Sequence, residues 1–223
     1  MLLSFVDLMR LSASCLLKGD SMTTLTDVSA YNSGDLFQPA PQHSNSELIA
    51  CVGENGGPYD FEAFALGYFE SARRLWESVT QEVANVDVIV YPLAFLYRQG
   101  IELANKHLIF FLSSIYSNCS KPKLNHGLVE NWKLLRPFLE RLREEVASPG
   151  LSVERLDGIE RLLIDFDSID SGSLVFRYPT NKAGAAFLEN RSTIDLELLT
   201  ANLDAAANWF EEVMNETREH FLD

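Results

Sequence analysis

The chain of 223 residues has only 18 lysines and arginines against 32 aspartates and glutamates, a formal net charge of −14. Binding to nucleic acid or to an acidic membrane surface needs clustered cations, so the overall balance argues against either as a general property. Cysteine is scarce. Cys15, Cys51 and Cys119 are odd in number and far apart, which excludes a disulfide framework or a cysteine zinc site and points to a reducing compartment. No glycine-rich phosphate loop is present, because Gly53 to Gly57 lacks the following Lys-Ser/Thr and precedes no strand. There is no His-Glu-x-x-His, and His43, His107, His126 and His220 show no ligand spacing, so neither metal nor cofactor is expected. Ser171 and Ser173 lack the strand–turn–helix setting of a hydrolase nucleophile.

Long apolar runs are missing too. The opening MLLSFVDLMRLSASCLL is broken by Asp7 and Arg10 and has no basic start, so it reads neither as a secretory signal nor as a bilayer span. Residues 1–21 read as an upstream extension, and the protein as cytoplasmic with no membrane partner. Breakers fill residues 18–58, from Gly19 through Pro39 and Pro41 to Gly57-Pro58, and predict a loose arm over 1–58 ahead of a domain over 59–223.

Within that domain the apolar period is helical. A first helix is expected from Tyr59 to about Val83, and a second from Val88 or Pro92 to Tyr116. The third runs from about Leu128 to Val146, with Pro137 predicting a kink or break near Arg136. Ser152 is the expected cap of a fourth, over Val153 to about Phe166. Asp167 to Thr193 reads as a β-hairpin or a structured loop, and a final helix runs from Thr193-Ile194-Asp195 to about Phe221. These elements make an all-α, up-and-down bundle of about five helices with one irregular insertion. Trp76, Trp132 and Trp209 fall among apolar residues and are expected in the core, whereas Glu211, Glu212, Glu216 and Glu219 read as a solvated face.

The second helix carries a polar stripe, with Arg98, Glu102 and Asn105 at i, i+4 and i+7 on one face amid Leu93, Phe95, Tyr97, Ile101 and Leu108. Such a stripe is either a buried ion pair that fixes packing or the floor of an anion site. Charge varies along the chain: net −8 over Met1–Tyr97, +5 over Arg98–Arg143 and −11 over Glu144–Asp223. The cations of the middle stretch either pair with acidic neighbours or form a small anion site. His126, near the start of the third helix, is either a capping and packing residue or a general base. Arg177 and Tyr178 sit on an irregular segment that can aim them at a cleft. Alternatively, Arg177 ties that segment to Asp167 and Asp170.

Three pieces in order, YRQGIELANKHLI (97–109), NHGLVENWKLL (125–135) and FDSIDSGSLVFRYPTNKAG (166–184), resemble bacterial proteins of the HEPN-like class (higher eukaryotes and prokaryotes nucleotide-binding), and the likeness extends over roughly residues 88 to 215. The resemblance implies a helical bundle that forms a homodimer. It also implies a site drawn from Arg98, Glu102, Asn105, His126, Arg177 and Tyr178, with Arg98, Glu102 and His126 as the catalytic candidates. The ribonucleases of that class carry Arg, four to six residues, then His. Here eight residues separate Arg98 from His107, Gln99 stands where relatives have His, and Asn125-His126-Gly127 replaces their Gly-His-Asp. The resemblance therefore implies a binding or regulatory protein more than a metal-independent RNase. Its implied partners are a nucleotidyltransferase or toxin–antitoxin component, with RNA or a nucleotide as ligand, in a setting such as phage defence. The alternative is a divergent nuclease or nucleotide-handling enzyme working through Arg98, Glu102, His126 and Arg177.

Overall fold

Asp60 starts the first helix by accepting the Ala63 N–H at 2.9 Å, which satisfies one of the donors that a helix start leaves free. In the computed structural model, which describes residues 50, 52, 59–81, 85–116, 124–146 and 148–222, five α-helices follow in order. They are α1 (Phe61–Thr80), α2 (Val86–Tyr116), α3 (Leu128–Glu145), α4 (Val153–Asp170) and α5 (Leu196–Leu222). No strand occurs among the described residues, so the fold is an all-α bundle. Residues Cys51–Asp223 form one compact unit. The arm expected over 1–58 and the three cysteines lie almost wholly outside the described residues. No helix among those residues is long and apolar enough to cross a membrane.

The longest helix, α2, is central and packs against α1, α3 and α5, while α4 lies on α3. Its buried face runs through Leu93, Tyr97, Ile101, Leu108 and Leu112 at helical spacing. α1 comes close to it at Gly100, where a Cβ would stand 2.5 Å from a Phe69 ring carbon. Trp132 and Trp209 are buried and meet edge to face at 5.8 Å, and the Trp209 indole donates to the Gly150 carbonyl at 2.7 Å. That carbonyl belongs to a single 3₁₀ turn, Pro149–Leu151, which touches α3, α4 and α5 and closes the base of the bundle.

Three details differ from the sequence reading, and of the two alternatives held open for the insertion the structure has the loop. α3 runs through Pro137 without a break. The residue is exposed, as is Lys133 whose carbonyl loses its helical partner, while Leu135 and Leu139 on the other face are fully buried and hold the helix. α4 continues one turn beyond Phe166 to Asp170, because Asp167 and Asp170 are both used as acceptors by neighbouring segments. The insertion at 171–195 is a structured loop whose one antiparallel bridge, Thr180 to Ala186, is too short to make a hairpin of strands. Glu211 has only 24% of its side chain exposed, because Arg73 reaches across from α1 to bind it and Asp204 together.

Candidate functional site

The stripe on α2 is buried and its members act together. Arg98 is 0% exposed, and each nitrogen of its guanidinium meets an acceptor from a different part of the fold. Nε donates to the Asp170 carbonyl at 3.1 Å, one terminal nitrogen to Glu102 Oε2 at 2.9 Å, and the other to the His126 carbonyl at 2.8 Å. The Asp170 carboxylate stands 3.6 Å from Nε and that of Asp167 at 3.9 Å from a terminal nitrogen. Arg98 thus ties α2 to the end of α4 and to the turn that enters α3. A charge this deep costs several kcal/mol in lost hydration unless its donors are satisfied, and here they are.

Glu102 is 1% exposed and accepts three times: from Arg98, from Lys106 Nζ at 2.6 Å, and from His126 Nδ1 at 3.0 Å. The i, i+4 spacing supplies the first two contacts, and the third comes from 24 residues further along the chain. Asn105 donates to the Leu128 carbonyl at 3.5 Å, while its own carbonyl is buried with no hydrogen bond.

The two acids that end α4 continue the network. Asp167 accepts the N–H groups of Leu128 and Val129, at 3.3 and 2.9 Å, and so caps α3, whose own cap position is Gly127. Asp170 accepts from the Leu174 and Val175 N–H groups at 2.7 and 3.1 Å and fixes the start of the insertion. A further clamp holds the entry to α3, where Asn131 exchanges hydrogen bonds with the backbone of Asn125.

Arg98, Glu102, Asn105 and His126 are therefore brought together, but the first three are sealed. His126 alone reaches solvent, with 74% of its side chain exposed. Arg177 and Tyr178 stand apart. The Arg177 guanidinium donates to the Ser173 carbonyl and the Tyr178 hydroxyl, and lies over the Phe95 and Tyr178 rings. Among the described residues it makes no hydrogen bond or ion pair with Arg98, Glu102, His126, Asp167 or Asp170. The insertion is tied to Asp170 by the Leu174 and Val175 N–H groups instead, and the guanidinium beside Asp167 and Asp170 is that of Arg98. Arg177 and Tyr178 line a recess of about 890 Å³ with Val86, Tyr91, Phe187 and Arg191, and none of the α2 stripe lines it.

Four cations of the middle stretch are paired with neighbours: Arg98 and Lys106 as above, Arg136 with Glu140, Asp157 and Glu160, and Arg141 with Glu145. One grouping escaped the sequence reading. Asp60, Glu62 and His107 present three donor atoms within 4.8 Å of one another, although they come from the starts and middles of different helices. The only local signal was Asp60 at a helix start, which carries no hint of His107.

No family model, curated protein or solved structure matches the chain.

Proposed function

We propose that this chain is a HEPN-like helical binding or regulatory protein, homodimeric and working beside a partner protein such as a nucleotidyltransferase or toxin–antitoxin component, in a setting such as phage defence and without RNase chemistry. The observation that carries this reading is the burial of Arg98. An arginine that stabilises a phosphate in flight must face the substrate, and this one is 0% exposed with all three nitrogens engaged by the protein itself. The motif residues then serve as the scaffold that locks α2, α3 and α4. The surfaces left for recognition are His126 and the recess at Arg177 and Tyr178.

A second reading draws on one specific contact. His126 is exposed while its Nδ1 lies 3.0 Å from a buried carboxylate, and a carboxylate that orients an imidazole is the usual support of a general base. A divergent nuclease would work from that ring. An RNA-cleavage assay separates the two, run on the wild type beside His126→Ala and Arg177→Ala. The binding reading expects no cleavage above buffer in all three. Cleavage by the wild type that His126→Ala abolishes would replace it with the enzyme reading. Sedimentation velocity tests the dimer, and a monomer at all micromolar concentrations would remove that clause.

A further inference from the structure

We propose that Asp60, Glu62 and His107 form a zinc site with three protein donors and a water-filled fourth position, joining the start of α1 to the middle of α2. The inference goes beyond the binding reading and does not depend on it. Two carboxylates and an imidazole are an oxygen and nitrogen set suited to a borderline divalent metal. Their donor atoms all fall within 4.8 Å of one another.

The spacing between His107 and Glu62 carries the argument. His107 Nε2 lies 3.6 Å from Glu62 Oε2, beyond hydrogen-bonding range. Two ligand atoms on one tetrahedral zinc, with bonds of about 2.0–2.2 Å, stand about 3.4 Å apart. The pair is thus set at the separation that a shared metal requires and a direct hydrogen bond does not.

The surroundings behave as an outer shell. Arg218 of α5 binds Glu62 through Oε1 and leaves Oε2 facing His107, and ligating carboxylates are commonly held in this way. Asp60 spends Oδ1 on the Ala63 N–H and keeps its second oxygen. The His107 ring stacks on Phe111 at 6.0 Å, and Phe61 stacks on Phe110 at 5.5 Å. The Phe61–Phe110 contact joins α1 to α2 beside the site. A helix start alone accounts for Asp60 and Glu62, since acids favour that end of the dipole. It does not account for a largely buried imidazole turned toward them, with no hydrogen bond of its own among the described residues.

Isothermal titration of the full chain with Zn²⁺ in a non-coordinating buffer, with Mg²⁺ as control, tests this. His107→Phe keeps an aromatic ring on Phe111 and removes the nitrogens. Asp60→Asn keeps a good helix cap and removes the ligand charge. Both variants are checked for native circular dichroism. The expected result is one Zn²⁺ per chain, preferred over Mg²⁺, with affinity reduced in both variants by at least the roughly 10- to 100-fold typical of losing an outer-shell partner. Absence of Zn²⁺ binding by the wild type would overturn the proposal. So would binding that persists unchanged in a folded Asp60→Asn or His107→Phe, because the other histidines and cysteines would then be the ligands.

Discussion

At the scale of single residues, Arg98 and His126 share one network and differ in what their removal exposes. Taking away the Arg98 guanidinium leaves the buried Asp170 carboxylate without its counter-charge and the buried Glu102 with Lys106 in place of two cations. Breaking one partner of a buried pair costs about 3–5 kcal/mol. Arg98→Met is therefore expected to lower unfolding stability by that amount in urea titrations. Removing Glu102 as well, in Arg98→Met/Glu102→Leu, should recover part of the loss, since an apolar pair leaves less unmatched charge. His126→Ala should cost about 1 kcal/mol or less, because its ring is mostly solvated and the backbone carbonyl that Arg98 uses remains. Equal losses for Arg98→Met and His126→Ala would contradict the scaffold role. The stripe itself was legible in the sequence, because i, i+4 and i+7 fix a shared helical face. Its partners were not, since periodicity says which way a side chain points and nothing about what arrives there from 72 residues away. The same limit hid the meeting of His107 with Glu62.

At the scale of elements, two glycines inside helices carry opposite consequences. Gly67 on α1 is exposed, and an added Cβ there meets nothing within 4 Å. Gly67→Ala should stabilise the protein by about 0.5–1 kcal/mol through helix propensity alone. Gly100 on α2 faces α1, and a Cβ there meets the Phe69 ring at 2.5 and 2.6 Å and the Ala65 carbonyl oxygen at 3.3 Å. Phe69 is wholly buried, so the ring must displace core neighbours to make room. Gly100→Ala should therefore destabilise by about 1–3 kcal/mol in spite of the better helix former. Thermal melts of the two variants should move in opposite directions. Helix existence and order followed from the apolar period, and the caps at Ser152 and Asp195 accept the Arg155 and Leu198 N–H groups. The errors arose where tertiary contacts overrode local signals. The acceptors at Asp167 and Asp170 draw α4 out by a turn, and an exposed face lets α3 tolerate Pro137.

At the scale of the molecule, the charge of −14 and the buried network respond differently to ions. Several surface pairs, such as Arg74 with Glu70 and Arg155 with Glu212, are well exposed and contribute little once water and salt screen them. The long-range repulsion among excess carboxylates acts over the Debye length, about 30 Å at 0.01 M ionic strength and about 8 Å at 0.15 M. Salt therefore removes more repulsion than attraction. The buried core of the cluster, Arg98 with Glu102 and Asp170, lies beyond the reach of mobile ions and should keep its strength. The melting temperature is accordingly expected to rise as NaCl increases from 10 to 150 mM and then to level off, with most of the gain below the physiological range. A melting temperature that falls over the same range would mean that exposed pairs, and not buried apolar and ionic contacts, hold the bundle together. Arg98→Met sharpens the test. Its salt dependence should run parallel to that of the wild type at a lower baseline, because the interaction it removes is shielded from the solvent that carries the salt.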